Sequence, residues 1–257
     1  VISRYQDFYD EFFLSTNDDR ILKSWIDMLG ERQQNQKKDL PSGILSVVLH
    51  DVDGELHDSI TTPISVFTQF VEDIYHSGRR LCSMRDYLSM NETERKYYIV
   101  CTFDDGYKGV LENALPSMKR YGFTATVYVC TEYIGKYNDW NYKDRQRRIH
   151  LDYAELHALA REGWEIGSHG VTHRSLLRLS DEEVINELSD SKSKLEKHIG
   201  QIDSYAYPYG DYNDFIMKLV KKHYQNAMLL TQGGVYLNVD IHRIRRYYIS
   251  DIYQIIR

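Results

Sequence analysis

His169 and His173 stand four residues apart in a chain of 257 residues. If the chain turns helical there, an i,i+4 pair lies on one face and both imidazoles can reach one ion. Ten histidines will also produce such a spacing by chance. A second signal is Asp104-Asp105-Gly106, directly after an apolar run. Two adjacent carboxylates at the end of a buried strand are costly unless something pairs them. Side chains alternate along a strand and the backbone can turn at its end, so one carboxylate can ligate a metal while its neighbour serves as a base. Asp-Asp-Gly is equally ordinary turn chemistry. Combined, the two signals supply two histidines and a carboxylate, a set that leaves coordination positions open for water and substrate, as a hydrolytic metal site requires.

Periodicity shows which elements would hold these groups. Residues 44–49 form the continuous apolar run of a buried strand. Residues 63–77 have helical spacing through Val66, Phe67, Phe70, Val71 and Ile74. Further strands are expected at 97–103, 123–130, 163–167, 204–207, 227–230 and 243–249, and helices at 113–121, 151–161, 180–198 and 214–223. Ser180 is the expected N-cap of the long helix, with Glu183 at the capping-box position. Strands alternating with helices point to an α/β barrel or a doubly wound sheet. Residues 1–42 differ: Phe8, Phe12, Phe13, Ile21, Leu22, Trp25, Ile26 and Leu29 recur at roughly helical spacing before Gly30, and a polar stretch leads to Pro41. They are expected to form a helical N-terminal extension and linker, with the main domain spanning 43–257. Four polar constellations fall immediately after expected strands: His50-Asp51, Asp104-Asp105-Gly106, the 169–173 segment, and Pro208-Tyr209-Gly210. In parallel α/β folds the C-terminal strand ends converge on one face, so these four would share a pocket.

Composition removes several other classes. A net charge of −6 argues against a chain that tracks nucleic-acid backbone. The basic cluster Arg145, Arg147, Arg148 reads as a solvated face or local pairing. Cys82, Cys101 and Cys130 are far apart and odd in number, which disfavours thiolate metal sites and disulfides; Cys101 and Cys130 are expected as buried small hydrophobes. No apolar run is long enough to span a membrane, and no signal peptide is read. Oligomeric state is not legible. The 22 tyrosines fit a sugar-binding cleft, a core or a surface equally.

Thr102-Phe103-Asp104-Asp105-Gly106 with Ser168-His169-Gly170-Val171-Thr172-His173 resembles the motifs of the polysaccharide deacetylases, carbohydrate esterase family 4 with the NodB homology domain. The helix carrying Glu183 and Glu187, and Tyr205-Ala206-Tyr207-Pro208-Tyr209-Gly210, match the same pattern, so the likeness runs from about residue 44 to 249. The resemblance implies a distorted (β/α) barrel of about seven units. It implies a divalent metal, usually Zn2+, on Asp105, His169 and His173, with Asp104 as catalytic base and the backbone N–H of Tyr209 as an oxyanion donor. The implied reaction removes N-acetyl groups from an N-acetylhexosamine-containing glycan and releases acetate, in a cell-envelope or secreted setting. A hydrolase of small amides or imides on the same fold, and a carbohydrate-binding pseudoenzyme, are the competing readings.

Two positions depart from the family pattern. The general acid commonly lies in a Leu-x-Leu-His motif near the C-terminus, where Ile241-His242 fits poorly. Val47-Val48-Leu49-His50 fits better and resembles the poly-N-acetylglucosamine deacetylase branch, so His50 is the expected acid and His242 the alternative. Many members also carry an arginine where Ala206 stands, pairing with the catalytic Asp. Arg243, Arg245 and Arg246 lie on the last expected strand, and Arg246 is the expected substitute. Tyr107, Tyr137, Trp140, Tyr142 and Tyr209 are candidates for stacking on a sugar.

Overall fold

The protein is represented by a computed structural model, which describes residues 43–54, 60–138, 147–230 and 240–256. The expected N-terminal helical extension, Trp140 and Tyr142 lie outside these residues. The strands, in chain order, are β1 (Ser46–Leu49), β2 (Asp51–Asp53), β3 (Thr61–Pro63), β4 (Arg80–Cys82), β5 (Tyr98–Phe103), β6 (Thr126–Val129), β7 (Glu165–Ser168), β8 (Ser204–Ala206), β9 (Asn226–Leu229) and β10 (Ile244–Arg245). The α-helices are α1 (Ile64–His76), α2 (Met84–Ser89), α3 (Glu92–Arg95), α4 (Leu115–Lys119), α5 (Tyr153–Arg161), α6 (Asp181–His198), α7 (Asp214–His223) and α8 (Ile249–Ile256).

Seven strands run parallel in the order β1-β5-β6-β7-β8-β9-β10, with β4 flanking the first half of β5. The sheet curls back on itself: Val48 N–H donates to Tyr247 O at 2.9 Å and Tyr247 N–H to Ser46 O at 2.8 Å. These bonds bring the chain after β10 against β1, giving a nearly closed, distorted (β/α) barrel. Strand alternation divides the side chains into two cores. Val47, Leu49, Cys101, Phe103, Val127 and Ile166 face the helices, where Phe67, Phe70, Ile74, Leu188 and Leu195 meet them. Val100, Tyr128, Ala206, Met228 and Ile244 fill the barrel interior with Met84 and Tyr87 of α2. That short helix plugs the N-terminal mouth, because Met84 N–H donates to Thr126 Oγ1 (2.9 Å) and Arg85 N–H to Glu165 Oε2 (2.9 Å).

Most expected elements are present, including the reciprocal capping box between Ser180 and Glu183. Two expectations need correction, and the condition that the 169–173 segment turn helical is not met. The last expected strand is only Ile244–Arg245, and Ile249 opens α8, whose Ile249, Ile252 and Tyr253 recur at helical spacing and are buried. The 113–121 helix begins earlier, as a π-helical turn Val110–Ala114. The 169–173 segment is a non-helical turn, since Gly170 (φ +82°) and His173 (φ +58°) both leave the right-handed helical region. All three cysteines are buried and free.

Candidate active site

Inward alternation, carried one step past the strands, delivers the polar groups to the C-terminal mouth. His50 continues the stripe of Ser46 and Val48, Asp104 that of Val100 and Thr102, and His169 that of Glu165 and Gly167. Asp105 would point outward by alternation. A left-handed backbone (φ +68°) at the strand end turns it toward the histidines. Asp105, His173 and Tyr209 are the non-glycine residues with positive φ among those described. All three lie on loops leaving the mouth. Such conformations cost about 1–3 kcal/mol each and persist where the surroundings impose them, often at functional sites.

Asp105, His169 and His173 are buried and each offers a ligand atom, all within 4.8 Å of one another. Asp105 Oδ1 lies 3.5 Å from His169 Nε2 and 3.2 Å from His173 Nε2. His169 Nδ1 sits 2.8 Å from the Ala206 carbonyl, which only accepts, so Nδ1 carries the proton. Burial drives the His169 pKa down to about 4, so the ring is neutral at pH 7. Its Nε2 lone pair therefore faces a carboxylate oxygen, an arrangement that a cation relieves. Burial alone would raise the Asp105 carboxyl, but the facing His173, together with His50 and His169, outweighs it and holds the group well below the usual carboxylate range. Two imidazole nitrogens and one carboxylate oxygen fit a divalent metal of the zinc type, with positions to spare.

Asp104 is buried beside them and held differently. Arg246 Nη1 donates to Asp104 Oδ1 and Nη2 to Oδ2, both at 2.6 Å, in a two-pronged fork. Nη1 also reaches Thr102 Oγ1 at 3.1 Å, and Nε donates to the Leu229 carbonyl at 2.9 Å. Arg246 is fully buried just past β10, over the Tyr128 ring. Arg246, the expected substitute for the arginine absent at Ala206, thus pairs with Asp104. Burial raises the Asp104 carboxyl, yet the Arg246 guanidinium beside it brings the group below its ordinary value.

The two candidate acids stand at opposite ends of the barrel. His50 follows Leu49, which pairs with Phe103, so it neighbours Asp104 at the mouth and bears electrostatically on both Asp104 and Asp105. His242 precedes β10 and its Nε2 lies 3.1 Å from Tyr224 O, below the start of β9. Tyr209 is half exposed, its ring 4.8 Å from that of His173. Tyr137 is also half exposed, under the Arg147 guanidinium. Tyr107 is fully buried against His150 and offers no stacking face. Of the two expectations for the basic cluster, a solvated face or local pairing, Arg148 takes neither: its side chain is buried and pairs at 3.4 Å with Asp51, distant in sequence.

Glu187 entered the sequence reading only as part of a family pattern. The structure buries it under the 169–173 turn, with its carboxylate accepting from Val171 N–H, Thr172 N–H and Thr172 Oγ1. A legible signal existed: Val184, Glu187, Leu188, Ser191 and Leu195 form the buried stripe of α6, and an acid within such a stripe must have partners.

A parallel barrel with a buried Asp-His-His group and a clamped second carboxylate at its C-terminal mouth is the frame of a hydrolase. The chain belongs to the polysaccharide deacetylase family, whose profile matches residues 91–227, more than half of its length. It is accordingly an enzyme of the hydrolases that act on amide bonds. It is 23% identical over 219 residues to YxkH of Bacillus subtilis, covering 83% of this chain and 74% of that one. It is 29% identical over 162 residues to the poly-β-1,6-N-acetyl-D-glucosamine N-deacetylase of Staphylococcus aureus, covering 58% of this chain. The match spans 53% of the staphylococcal protein, about half its length. Among solved structures the fold is shared with the Streptococcus pyogenes deacetylase PplD in complex with acetate (TM-score 0.70, 20% identity, 86% of this chain and 100% of that one). It is also shared with IcaB from Ammonifex degensii (TM-score 0.65, 18% identity, 80% and 92%). No helix among the described residues is long and apolar enough to cross a membrane.

Proposed function

We propose that this enzyme removes N-acetyl groups from a polymer of N-acetylglucosamine, with Asp105, His169 and His173 holding a divalent metal, zinc by its donor set. The observation that carries the reading is the division of labour between adjacent carboxylates: Asp105 faces two imidazole Nε2 atoms, while Asp104 is clamped by Arg246. The staphylococcal relative supports a β-1,6-linked substrate. With this reading comes the cell-envelope or secreted setting that the family resemblance implies.

When bound, such a metal polarises water and the acetamide carbonyl and lowers the pKa of the water. Asp104, ionised and fixed by the Arg246 fork, accepts the proton of the attacking water. As oxygen adds to the carbonyl carbon, the backbone N–H of Tyr209 donates to the developing oxyanion. His50 gives a proton to the departing nitrogen as the C–N bond breaks, leaving acetate and a free amine on the sugar. His169 stays neutral and oriented through its Nδ1–H bond to Ala206 O.

The test is Asp104→Asn. Acetate release should fall by about 10²–10⁴-fold, the usual worth of a general base, while stoichiometric Zn2+ binding is kept. A variant that remains fully active would remove Asp104 from the mechanism. Turnover of cyclic amides with none on acetylated glycans would move the reading to a small-amide hydrolase.

A further inference from the structure

We propose that Glu187 is a positioning residue for the metal centre, its buried carboxylate locking the 169–173 turn so that the His173 ring is presented to Asp105. The inference rests on the metal-centre reading given above. Glu187 leaves only 3% of its surface exposed and lies on α6, outside the ligand set. Its Oε2 accepts from Val171 N–H at 2.6 Å and Thr172 N–H at 3.1 Å, and its Oε1 accepts from Thr172 Oγ1. The turn is gripped from the other side by backbone: Thr131 N–H donates to Gly170 O at 3.1 Å and Glu132 N–H to Val171 O at 3.0 Å. The two central peptide units, 170–171 and 171–172, are thus held through both their N–H and C=O groups.

The conformation needs holding. Gly170 adopts φ +82° and a Cβ there would lie 2.8 Å from Glu187 Oε2, so the carboxylate occupies the space that only glycine leaves. His173 adopts φ +58° with a full side chain, a state that relaxes unless neighbours impose it. A glutamine at 187 keeps the shape but removes the negative charge, leaving a neutral amide oxygen to accept from both backbone N–H groups and turning its NH2 toward Thr172 Oγ1. The turn would then sample other conformations, and His173 would have to be recaptured on each metal-binding event.

The experiment is calorimetric titration of Zn2+ into protein stripped of metal, together with thermal melts of the same stripped samples. Glu187→Gln should weaken Zn2+ binding by about 10–100-fold, the usual effect of losing a group that orients a ligand. Thr172→Val, which keeps both backbone bonds, should show a smaller loss in the same direction. Leu188→Ala, beside Glu187 in the buried stripe of α6, should lower the melting temperature yet leave Zn2+ affinity unchanged. Wild-type affinity in both Glu187→Gln and Thr172→Val overturns the proposal. So does an equal loss in Leu188→Ala, which would show that any destabilisation of α6 has the same effect. If Glu187→Gln does not fold, Thr172→Val against Leu188→Ala decides. Failure of the wild type to bind Zn2+, or unaltered binding by His173→Ala, would overturn the metal centre itself and this role with it.

Discussion

Asp104 and Asp105 are covalent neighbours held by different means, and this difference gives each its proposed task. Arg246 holds Asp104 with two hydrogen bonds at once, a geometry that a point-charged lysine cannot copy. Removing Arg246 takes away the cation that favours ionised Asp104, so the carboxyl pKa rises and the base is protonated at higher pH. Arg246→Ala should therefore lower turnover and move the acidic limb of the kcat/KM–pH profile upward, as measured by acetate release across pH. It should also cost about 3–5 kcal/mol of stability, because a buried carboxylate loses its partner. An unchanged profile would show that Arg246 does not tune the base. The pair was partly legible from sequence. The absence of arginine at Ala206 implied a substitute, and inward alternation near the last strand pointed to 246. The supporting bond to Thr102 Oγ1 was not legible, because it joins positions 144 residues apart.

Elements brought to the mouth by alternation depend on a few close approaches inside the barrel. Gly167 packs against Tyr128: a Cβ there would lie 2.6 Å from two ring carbons and 3.0 Å from the Ser204 carbonyl. Gly167→Ala should cost about 1–3 kcal/mol by overpacking, and Tyr128→Val in the same chain should recover part of it, both read by urea unfolding. Equal stability of Gly167→Ala and wild type would refute the packing. Strands and long helices were legible because their periodicity is local, down to the Ser180–Glu183 cap. The plug α2 was not. Its six residues carry little periodicity, and its place is fixed by Thr126 and Glu165, distant in sequence. The non-helical shape of the 169–173 turn was not legible, because it rests on left-handed backbone at Gly170 and at His173, a residue type that rarely adopts it.

Across the whole molecule, closure of the barrel through Val48 and Tyr247 gathers strand ends from residues 50 to 246 around one mouth. No local pattern could reveal this pairing, although the repeated fall of polar motifs after strands anticipated its outcome. The fold also buries charge at a cost. Burial outweighs the nearby Arg148 and pushes the Asp51 carboxyl up to about 6 from 3.8. A folded-state pKa above the unfolded one contributes stability that is present below about pH 4 and is lost as pH rises through 6. Asp51→Asn lacks this dependence. Between pH 4 and pH 7 its unfolding free energy should move by about 2 kcal/mol in its favour relative to wild type, by urea unfolding at both pH values. A constant gap would place the Asp51 pKa at its ordinary value.

In the proposed function a metal on Asp105, His169 and His173 drives removal of N-acetyl groups from a polymer of N-acetylglucosamine. Acetate release from poly-β-1,6-N-acetylglucosamine, measured before chelation, after chelation and after Zn2+ add-back, tests it most directly. Chelation should abolish release and Zn2+ should restore it, with no restoration in His173→Ala. Release that survives complete removal of metal would contradict it.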